Sequence, residues 1–271
     1  MAQYVGRGVK DVKDVKKEKN VKIVKGVKEV KGVKSAFVCG LIALGFIGFG
    51  QSAKLIAQAN PADYLSNIKE ELKKEWPGNR TINLVFHGHS VPAGYFKTPL
   101  VNTLDSYPYQ LLMELKALYP YAVINVINTA IGGENSESGA KRFADNVLIY
   151  KPDVLFIDYA LNDRGIGPEK SKKAWESMIT GALNRNIKII LLTPSPDQTV
   201  SILESGNVLE THAVQIRNLA KEYGIGLADS YAAFRQIAAS GKPLSDYMSQ
   251  VNHPNKQGHW VIMQEILKYF K

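Results

Sequence analysis

The chain has 271 residues, of which 45% are hydrophobic and 9% aromatic, a composition that favours a globular protein with a sizeable core. Its net charge of +9 is concentrated in residues 1–59, where eleven Lys and one Arg accompany only four acidic residues. Residues 60–271 are therefore close to neutral, and this balance argues against a nucleic-acid-binding function.

The N-terminal segment carries two distinct signals. Residues 1–34 are basic and of low complexity, with valine at every third position over much of their length, and we expect a solvated tail there or, alternatively, a membrane-surface helix. An uncharged apolar run follows at 36–50, shorter than the roughly 20 residues of a membrane span, and 57–59 matches a small-x-small cleavage site. We predict a signal peptide over 35–59 and export to the periplasm or the outside, with an uncleaved membrane anchor as the alternative. The long basic lead is abnormal for a signal, so we also predict a misassigned start, the true one lying at Val33.

From residue 60 onward, predicted helices alternate with short strands rich in Val, Ile and Leu. The predicted strands are 82–86, 122–127, 154–159, 187–192 and 225–228. The predicted helices are 63–76, 107–118, 138–150, 168–184, 210–223, 230–239 and 257–270. This alternation predicts βαβ units around a buried parallel sheet, and hence one three-layer α/β/α sandwich with five parallel strands over 60–271. The single cysteine, Cys39, precedes this domain, so the domain is expected to use neither disulfides nor cysteine chemistry.

Polar residues follow the strands at the edge where open α/β sheets bind ligands. Ser90 follows the first strand, Gly133 the second and Asn162 the third, and His253 precedes the last helix. A serine hydroxyl becomes a nucleophile when a base takes its proton, and His253 is suited to that role. Attack on an acyl carbon creates an oxyanion, which the backbone N–H groups of Ser90 and Gly133 and the amide of Asn162 would stabilise. Glycine at 133 would let the backbone approach closely, because it has no Cβ.

These segments resemble the four sequence blocks of the SGNH (GDSL-type) hydrolases, which carry Ser, Gly, Asn and His in this order. GHSVPAGY is similar to the G-D-S-x-x-x-G-Y block, NTAIGGENS to the oxyanion-glycine block, LNDRG to the G-x-N-D block and NHPNKQGH to the histidine block. The resemblance covers about residues 80–271. It implies a flavodoxin-like SGNH hydrolase fold over 60–271 and a serine esterase that needs no cofactor.

The same resemblance implies roles and substrates. Ser90 is the implied nucleophile, His253 the base, and Ser90, Gly133 and Asn162 the oxyanion hole. Small acyl esters are the implied substrates, and an export signal favours O-acetyl groups on carbohydrate. A lysophospholipase or thioesterase is the alternative. A small-molecule or glycan ester is thus the expected partner, with no nucleic acid, a possible N-terminal membrane anchor and no assigned oligomeric state.

Two positions depart from the family pattern. His89 stands where the family has Asp before the serine, and Gln250 stands where it has the Asp that orients the catalytic histidine. A Gln carbonyl could accept the Nδ1–H of His253 but brings no negative charge. We predict that Asp246, a turn or two earlier, replaces it; otherwise the site is a Ser–His dyad. The departures also motivate a different hypothesis, a catalytically decayed glycan-binding module.

The remaining polar residues near the blocks receive supporting roles. Asp163 is expected to brace its loop and Arg164 to hold an anionic or sugar group. An H-x-H pair on one strand, His87 and His89, would place both rings on one face, as in some zinc hydrolases, so a metal-dependent hydrolase is the second enzyme hypothesis. The sequence offers no convincing further ligands, and we predict no metal. His259 is expected to support the histidine loop.

Overall fold

Five parallel strands form the central sheet of the computed structural model, which describes residues 57–271. The predicted tail and all of the predicted signal peptide before residue 57 lie outside the described residues. The strands are β1 (Thr81–Gly88), β2 (Val123–Asn128), β3 (Val154–Asp158), β4 (Lys188–Leu192) and β5 (Gly226–Ala228). The five predicted strands and their parallel pairing are confirmed.

Helices cover both faces of this sheet, as a three-layer sandwich requires. They are α1 (Pro61–Tyr64), α2 (Ser66–Lys73), α3 (Ser90–Ala93), α4 (Tyr107–Leu118), α5 (Ser136–Lys141), α6 (Phe143–Asn146), α7 (Ala160–Asp163), α8 (Pro168–Leu183), α9 (Val208–Glu222), α10 (Ser230–Ala239) and α11 (Lys256–Leu267). Two predicted helices are each broken in two, at Leu65 and at Arg142, where φ is −104° and −103° and the backbone leaves the helical region. Within residues 57–271, none of the helices has the length and apolar character that a bilayer crossing demands.

Side chains of the central strands alternate between two hydrophobic cores, one on each face of the sheet. Phe86 and Phe156 enter one core, where their rings stack with centroids 4.3 Å apart. Val85 and Leu155 enter the other. This alternation explains why these strands read as continuous apolar runs: both faces are buried.

The strand order, β2-β1-β3-β4-β5, places a crevice where the chain reverses its direction of progress through the sheet. The chain moves from β1 outward to β2, then crosses back to β3 on the other side of β1. Ligands in open α/β sheets bind beyond the carboxyl ends of the strands at such a point. Ser90 begins α3 directly after β1, and Asn162 lies in α7 directly after β3, so the topology brings both to this crevice.

A short antiparallel hairpin, not predicted from the sequence, carries His253 to the same edge. It pairs β6 (Met248–Gln250) with β7 (His253–Pro254). The Ser249 hydroxyl donates to the His253 carbonyl oxygen at 3.0 Å and reinforces the turn. Asn255 then caps α11 by accepting the backbone N–H groups of its first turn. The hairpin and the cap fix the backbone of His253 from both sides.

Candidate active site

Ser90 and His253 lie in direct hydrogen-bond contact. The Ser90 Oγ is 2.9 Å from the His253 Nε2, and the two residues are only 7% and 6% exposed. A neutral imidazole at this distance can accept the hydroxyl proton as the oxygen attacks. The structure thus joins two residues that are 163 positions apart in the chain.

The backbone carbonyl of Phe96 faces the other nitrogen of this imidazole. The His253 Nδ1 lies 2.9 Å from the Phe96 carbonyl oxygen. A carbonyl oxygen only accepts, so this contact requires the proton on Nδ1 and leaves the Nε2 lone pair for Ser90. Burial lowers the pKa of His253 below its ordinary value, the Phe96 hydrogen bond raises it in part, and the neighbouring His89 lowers it further. The imidazole is therefore neutral, and in the productive tautomer, at neutral pH.

The His259 ring packs against Phe96 and the start of α4, whereas the sequence predicted that it would support the histidine loop. The His259 ring stacks on the Phe96 ring with centroids 5.1 Å apart and planes 14° apart. Its Nδ1 accepts the backbone N–H of Tyr107 at 3.2 Å, which ties the start of α4 to this stack. Complete burial lowers the pKa of His259 to about 3, so the ring is uncharged. The carbonyl that orients His253 thus belongs to a residue held rigidly in the core.

Gln250 approaches the imidazole with its amide nitrogen rather than with its carbonyl oxygen. The Gln250 Oε1 accepts the backbone N–H of Thr98 at 3.0 Å, and that donor fixes which way the amide points. The Gln250 Nε2 lies 2.9 Å from the His253 Nδ1. Both atoms carry hydrogen in this tautomer, so the amide donates instead to the Thr98 Oγ1 and the Asn252 Oδ1, each at 3.3 Å. The expectation that the Gln250 carbonyl accepts the Nδ1–H is therefore wrong.

Asp246 does not approach His253. It lies on the exposed 3₁₀ turn Leu244–Tyr247, and its backbone oxygen, not its carboxylate, accepts a hydrogen bond from Asn255 at 2.8 Å. Within residues 57–271 its carboxylate forms neither a hydrogen bond nor an ion pair. The prediction that Asp246 is the third catalytic member is wrong, because the turn before β6 directs this side chain to solvent.

The three donors of the predicted oxyanion hole each keep a hydrogen that a ligand could accept. The backbone N–H groups of Ser90 and Gly133 donate to no acceptor among the described residues. The Asn162 amide gives one hydrogen to the Glu134 carbonyl oxygen at 2.9 Å and keeps its second hydrogen for a ligand. Gly133 has φ +79°, and nothing lies within 4 Å of where a Cβ would stand. Glycine is favoured here for its backbone conformation, and the close approach to a substrate that was expected from the sequence stays a prediction.

A network of charged and aromatic side chains holds the Gly133 loop from behind. The Glu134 carboxylate accepts two hydrogen bonds from the Arg142 guanidinium and one, at 2.8 Å, from the Tyr159 hydroxyl. Burial alone would raise the pKa of Glu134, but these donors lower it, so the carboxylate stays charged. The Tyr159 hydroxyl also lies 3.1 Å from the His87 Nε2. Three residues of this network were not predicted from the sequence: Glu134, Arg142 and Tyr159. The break in the predicted helix at Arg142 brings the Arg142 side chain back to the loop.

His87 and His89 lie on opposite faces of the sheet. The His87 ring packs against Phe143 and Tyr159 of one core, and burial lowers its pKa to about 4. The His89 Nδ1 accepts the Val91 backbone N–H at 3.2 Å as the cap of α3, and its Nε2 faces the Asp158 carboxylate at 3.4 Å. A ring nitrogen of His89 therefore provides the N-terminal cap of α3.

This geometry contradicts the shared face on which the zinc hypothesis depended, because β1 ends at Gly88 and the strand alternation stops there. In the part of the chain that the structure describes, no three His, Cys, Asp or Glu side chains are grouped to hold a metal.

Asp163 and Arg164 serve the scaffold. Asp163 is fully buried; its carboxylate accepts the Ser136 backbone N–H at 2.8 Å and the Ser171 hydroxyl and Trp175 indole at 2.7 Å each. It thereby joins the start of α5 to α8, the bracing that was predicted. Arg164 forms an ion pair with the buried carboxylate of Asp197, and this pairing occupies the group expected to hold a ligand.

Tyr95, which the sequence analysis quoted in the first block without assigning a role, lines the space in front of Ser90. Its backbone N–H donates to the Ser90 carbonyl oxygen at 3.0 Å. Its ring centroid lies 6.1 Å from that of His253, and a Cβ on Gly132 would stand 3.1 Å from its ring. The ring therefore lies near both the base and the loop that carries Gly133.

Comparison with known proteins agrees with this geometry. The model of the GDSL-like lipase/acylhydrolase family matches residues 86–261, which include the four blocks. The chain belongs to this family. It is accordingly a hydrolase of ester bonds, with the SGNH-type α/β/α fold.

Three comparisons illustrate the similarity to known esterases. An acetylxylan esterase of Geobacillus stearothermophilus is 22% identical over 166 residues, which are 57% of this chain and 75% of that protein. The crystal structure of an acetylxylan esterase of the same species superposes with a TM-score of 0.61 at 20% identity, covering 70% of this chain and 94% of that one. A two-domain esterase active on acetylated mannans superposes with a TM-score of 0.63 at 20% identity, covering 79% of this chain and 54% of that one. At these identities the solved structures show the shared fold.

Proposed function

We propose that this GDSL-family hydrolase is an exported carbohydrate O-acetylesterase that works by a serine mechanism. The observation that carries the proposal is the 2.9 Å hydrogen bond between the Ser90 Oγ and the His253 Nε2 at the sheet edge. A buried hydroxyl and a buried neutral imidazole in this geometry are an activated nucleophile and its base.

Acylation begins when the Ser90 oxygen attacks the acetyl carbon and the His253 Nε2 takes its proton. The carbonyl oxygen of the ester becomes an oxyanion that accepts from the N–H groups of Ser90 and Gly133 and from the free hydrogen of the Asn162 amide. The imidazolium then gives its proton to the departing sugar oxygen. This leaves an acetyl group on Ser90 and a free sugar hydroxyl.

Deacylation repeats these steps with water. His253 takes a proton from the water as it attacks the acetyl-serine, the same donors hold the second oxyanion, and Ser90 leaves with a proton as acetate departs. The Phe96 carbonyl accepts the Nδ1–H throughout, so it keeps the imidazole in the correct tautomer without supplying a negative charge. We propose this Ser–His dyad with a backbone acceptor in place of a Ser–His–Asp triad.

The choice of carbohydrate acetyl esters rests on two supports. Proteins similar to this chain act on acetylated xylan and acetylated mannans. The aromatic face of Tyr95 beside the base suits a sugar ring, whose C–H bonds are weakly positive and pack on π faces. The sequence-based alternative, a lysophospholipase or thioesterase, is separated from this proposal by experiment.

Export is proposed from the sequence of residues 35–59, and N-terminal sequencing of the protein from its native host tests it. A mature N-terminus at residue 60 is the expected result. A chain that retains the apolar run would instead support the membrane anchor.

The activity test is acetate release by the full chain from p-nitrophenyl acetate and acetylated xylan, with lysophosphatidylcholine and acyl-CoA as competing substrate classes. We expect hydrolysis of both acetyl esters, a loss of about 10⁴-fold or more in Ser90→Ala, and no effect of a chelator. Activity that survives Ser90→Ala would refute the serine mechanism. A preference for lysophospholipid or acyl-CoA would overturn the substrate class, and a chain that hydrolyses none of them would favour the decayed binding module.

A further inference from the structure

A groove of about 740 Å³ opens next to the active site, on the far side of Phe96. It lies between the loop after β1, the start of α4 and the first turns of α11. Phe96 separates the two places: its carbonyl oxygen binds His253, and the residue also lines the groove. The volume is that of an ordinary small-molecule site, and none of the catalytic groups lies in it.

A tryptophan provides the exposed apolar surface of the groove. Trp260, on α11, leaves 44% of its surface exposed there. An indole is costly to leave in water, and its π face attracts the weakly positive C–H bonds of a saccharide ring. Of the other tryptophans, Trp175 is fully buried and bound to Asp163, so it has a structural role.

The polar surface of the groove has unused hydrogen-bonding capacity. Gln110, 6% exposed, gives its amide hydrogens to the backbone oxygens of Asp105 and Lys256 at 2.6 and 3.0 Å. Its Oε1 has no hydrogen-bond partner among the described residues, but that atom is itself buried, so Gln110 supports the wall of the groove and offers no exposed group to a ligand. The side-chain amides of Asn102 and Gln257 also form no hydrogen bond within residues 57–271.

The charges in the groove cancel. The Lys256 Nζ lies 2.8 Å from the Asp105 Oδ1, and these two are the charged side chains of the lining. A strongly anionic or cationic ligand would meet no uncompensated opposite charge there. An aromatic face, the two amides of Asn102 and Gln257 and a neutral balance together suit a neutral polyhydroxylated ring.

We propose that this groove is a saccharide subsite that holds a neutral part of the glycan chain away from the acetyl group at Ser90. A pyranose ring packs on Trp260, and its hydroxyl groups bond to Gln257 and Asn102. The inference rests on the proposed carbohydrate esterase function for its substrate, but the binding itself does not require catalysis.

The test measures binding of xylohexaose and mannohexaose, both without acetyl groups, to the full chain carrying Ser90→Ala. Titration calorimetry gives Kd without any turnover. We expect Trp260→Ala to weaken binding of at least one probe by about tenfold or more. Gln257→Ala, which changes only an exposed side chain, should weaken it by about threefold or more. Trp76→Ala is the matched control, because Trp76 is 84% exposed outside the groove, and it should leave Kd unchanged.

Kinetics of the otherwise wild-type chain provide a second readout. Trp260→Ala should lower the ratio of kcat/KM for acetylated xylohexaose to that for p-nitrophenyl acetate, chiefly through KM. Failure to bind either hexasaccharide, or binding that Trp260→Ala and Gln257→Ala leave intact, would overturn the subsite. If the subsite is overturned in this way but the chain still hydrolyses p-nitrophenyl acetate, the proposed esterase function is retained. Binding that depends on Trp260 in a chain without esterase activity would keep the subsite and refute the proposed function.

Discussion

Replacing Gln250 by Glu should move the acid limb of the pH–rate profile upward. Gln250 holds its Nε2 2.9 Å from the His253 Nδ1, while its Oε1 accepts from the Thr98 backbone N–H. Glu has nearly the same shape, so one carboxylate oxygen keeps the Thr98 contact and the other faces Nδ1 with a negative charge. An opposite charge this close favours the protonated imidazole and raises the pKa of His253.

The magnitude follows from the environment of this pair. Opposite charges at such distances shift pKa values by roughly one to three pH units, and the half-exposed position of Gln250 favours the lower end, about one unit or 1.4 kcal/mol. Because only the neutral imidazole acts as the base, kcat/KM of Gln250→Glu should fall at a pH about one unit higher than in the wild type. The assay is kcat/KM for p-nitrophenyl acetate from pH 4 to 8.

Gln236→Glu is the matched control, since it adds the same charge on the exposed surface of α10. It should leave the acid limb in place. If Gln250→Glu remains folded and its acid limb coincides with that of the wild type, the assigned contact between position 250 and the base is wrong.

Three further predictions follow from the same structure. Asp246→Asn should retain activity within about twofold of the wild type, because its carboxylate contacts nothing in the site; a loss near the 10⁴-fold seen when an orienting carboxylate is removed would restore it as the third member. Gly133→Ala should cost about 1–3 kcal/mol of backbone strain at φ +79° and lower kcat at least tenfold by moving its N–H. Gly167→Ala, at φ +78° with equally open space, should lower Tm to a similar degree but leave kcat unchanged; equal kcat values for the two would argue against an oxyanion role at 133. His87, whose pKa falls to about 4 in the fold, stays neutral while the unfolded chain binds a proton below about pH 6.5, so stability is lost as pH falls through that window. Between pH 7 and 4 this residue should remove about 3 kcal/mol of unfolding free energy, and urea unfolding of His87→Gln should show a correspondingly smaller loss.

The strands and the four blocks could be predicted because each requires particular types of side chain at particular positions. Buried parallel strands need apolar residues on both faces, and the residues after them must lie at one edge. On this basis Ser90, Gly133, Asn162 and His253 were predicted to lie at one edge of the sheet, and the structure brings the Ser90 and His253 side chains into contact.

The acceptor for the His253 Nδ1–H could not be predicted from the sequence in the same way. A backbone carbonyl is present at every residue, so nothing in the identity of Phe96 marks it as the acceptor for His253. Asp246 had the right chemistry at a plausible spacing, but an unpredicted hairpin decides which side chains turn inward. The prediction that His87 and His89 share a face assumed that the strand continues past Gly88, but β1 ends there.

The carbonyl of Phe96 has a consequence for how this site tolerates change. A carboxylate that orients a histidine can be deleted by one codon change and is neutralised in acid. A main-chain oxygen is not removed by substituting the residue, and it does not titrate. Selection therefore acts on this contact only through the path of the backbone, at Gly94 with its φ of +88° and at the Thr98–Gln250 link that anchors the loop. The orienting function is thereby spread over several positions of modest individual effect, and the family's usual aspartate could be lost here without loss of the tautomer it serves.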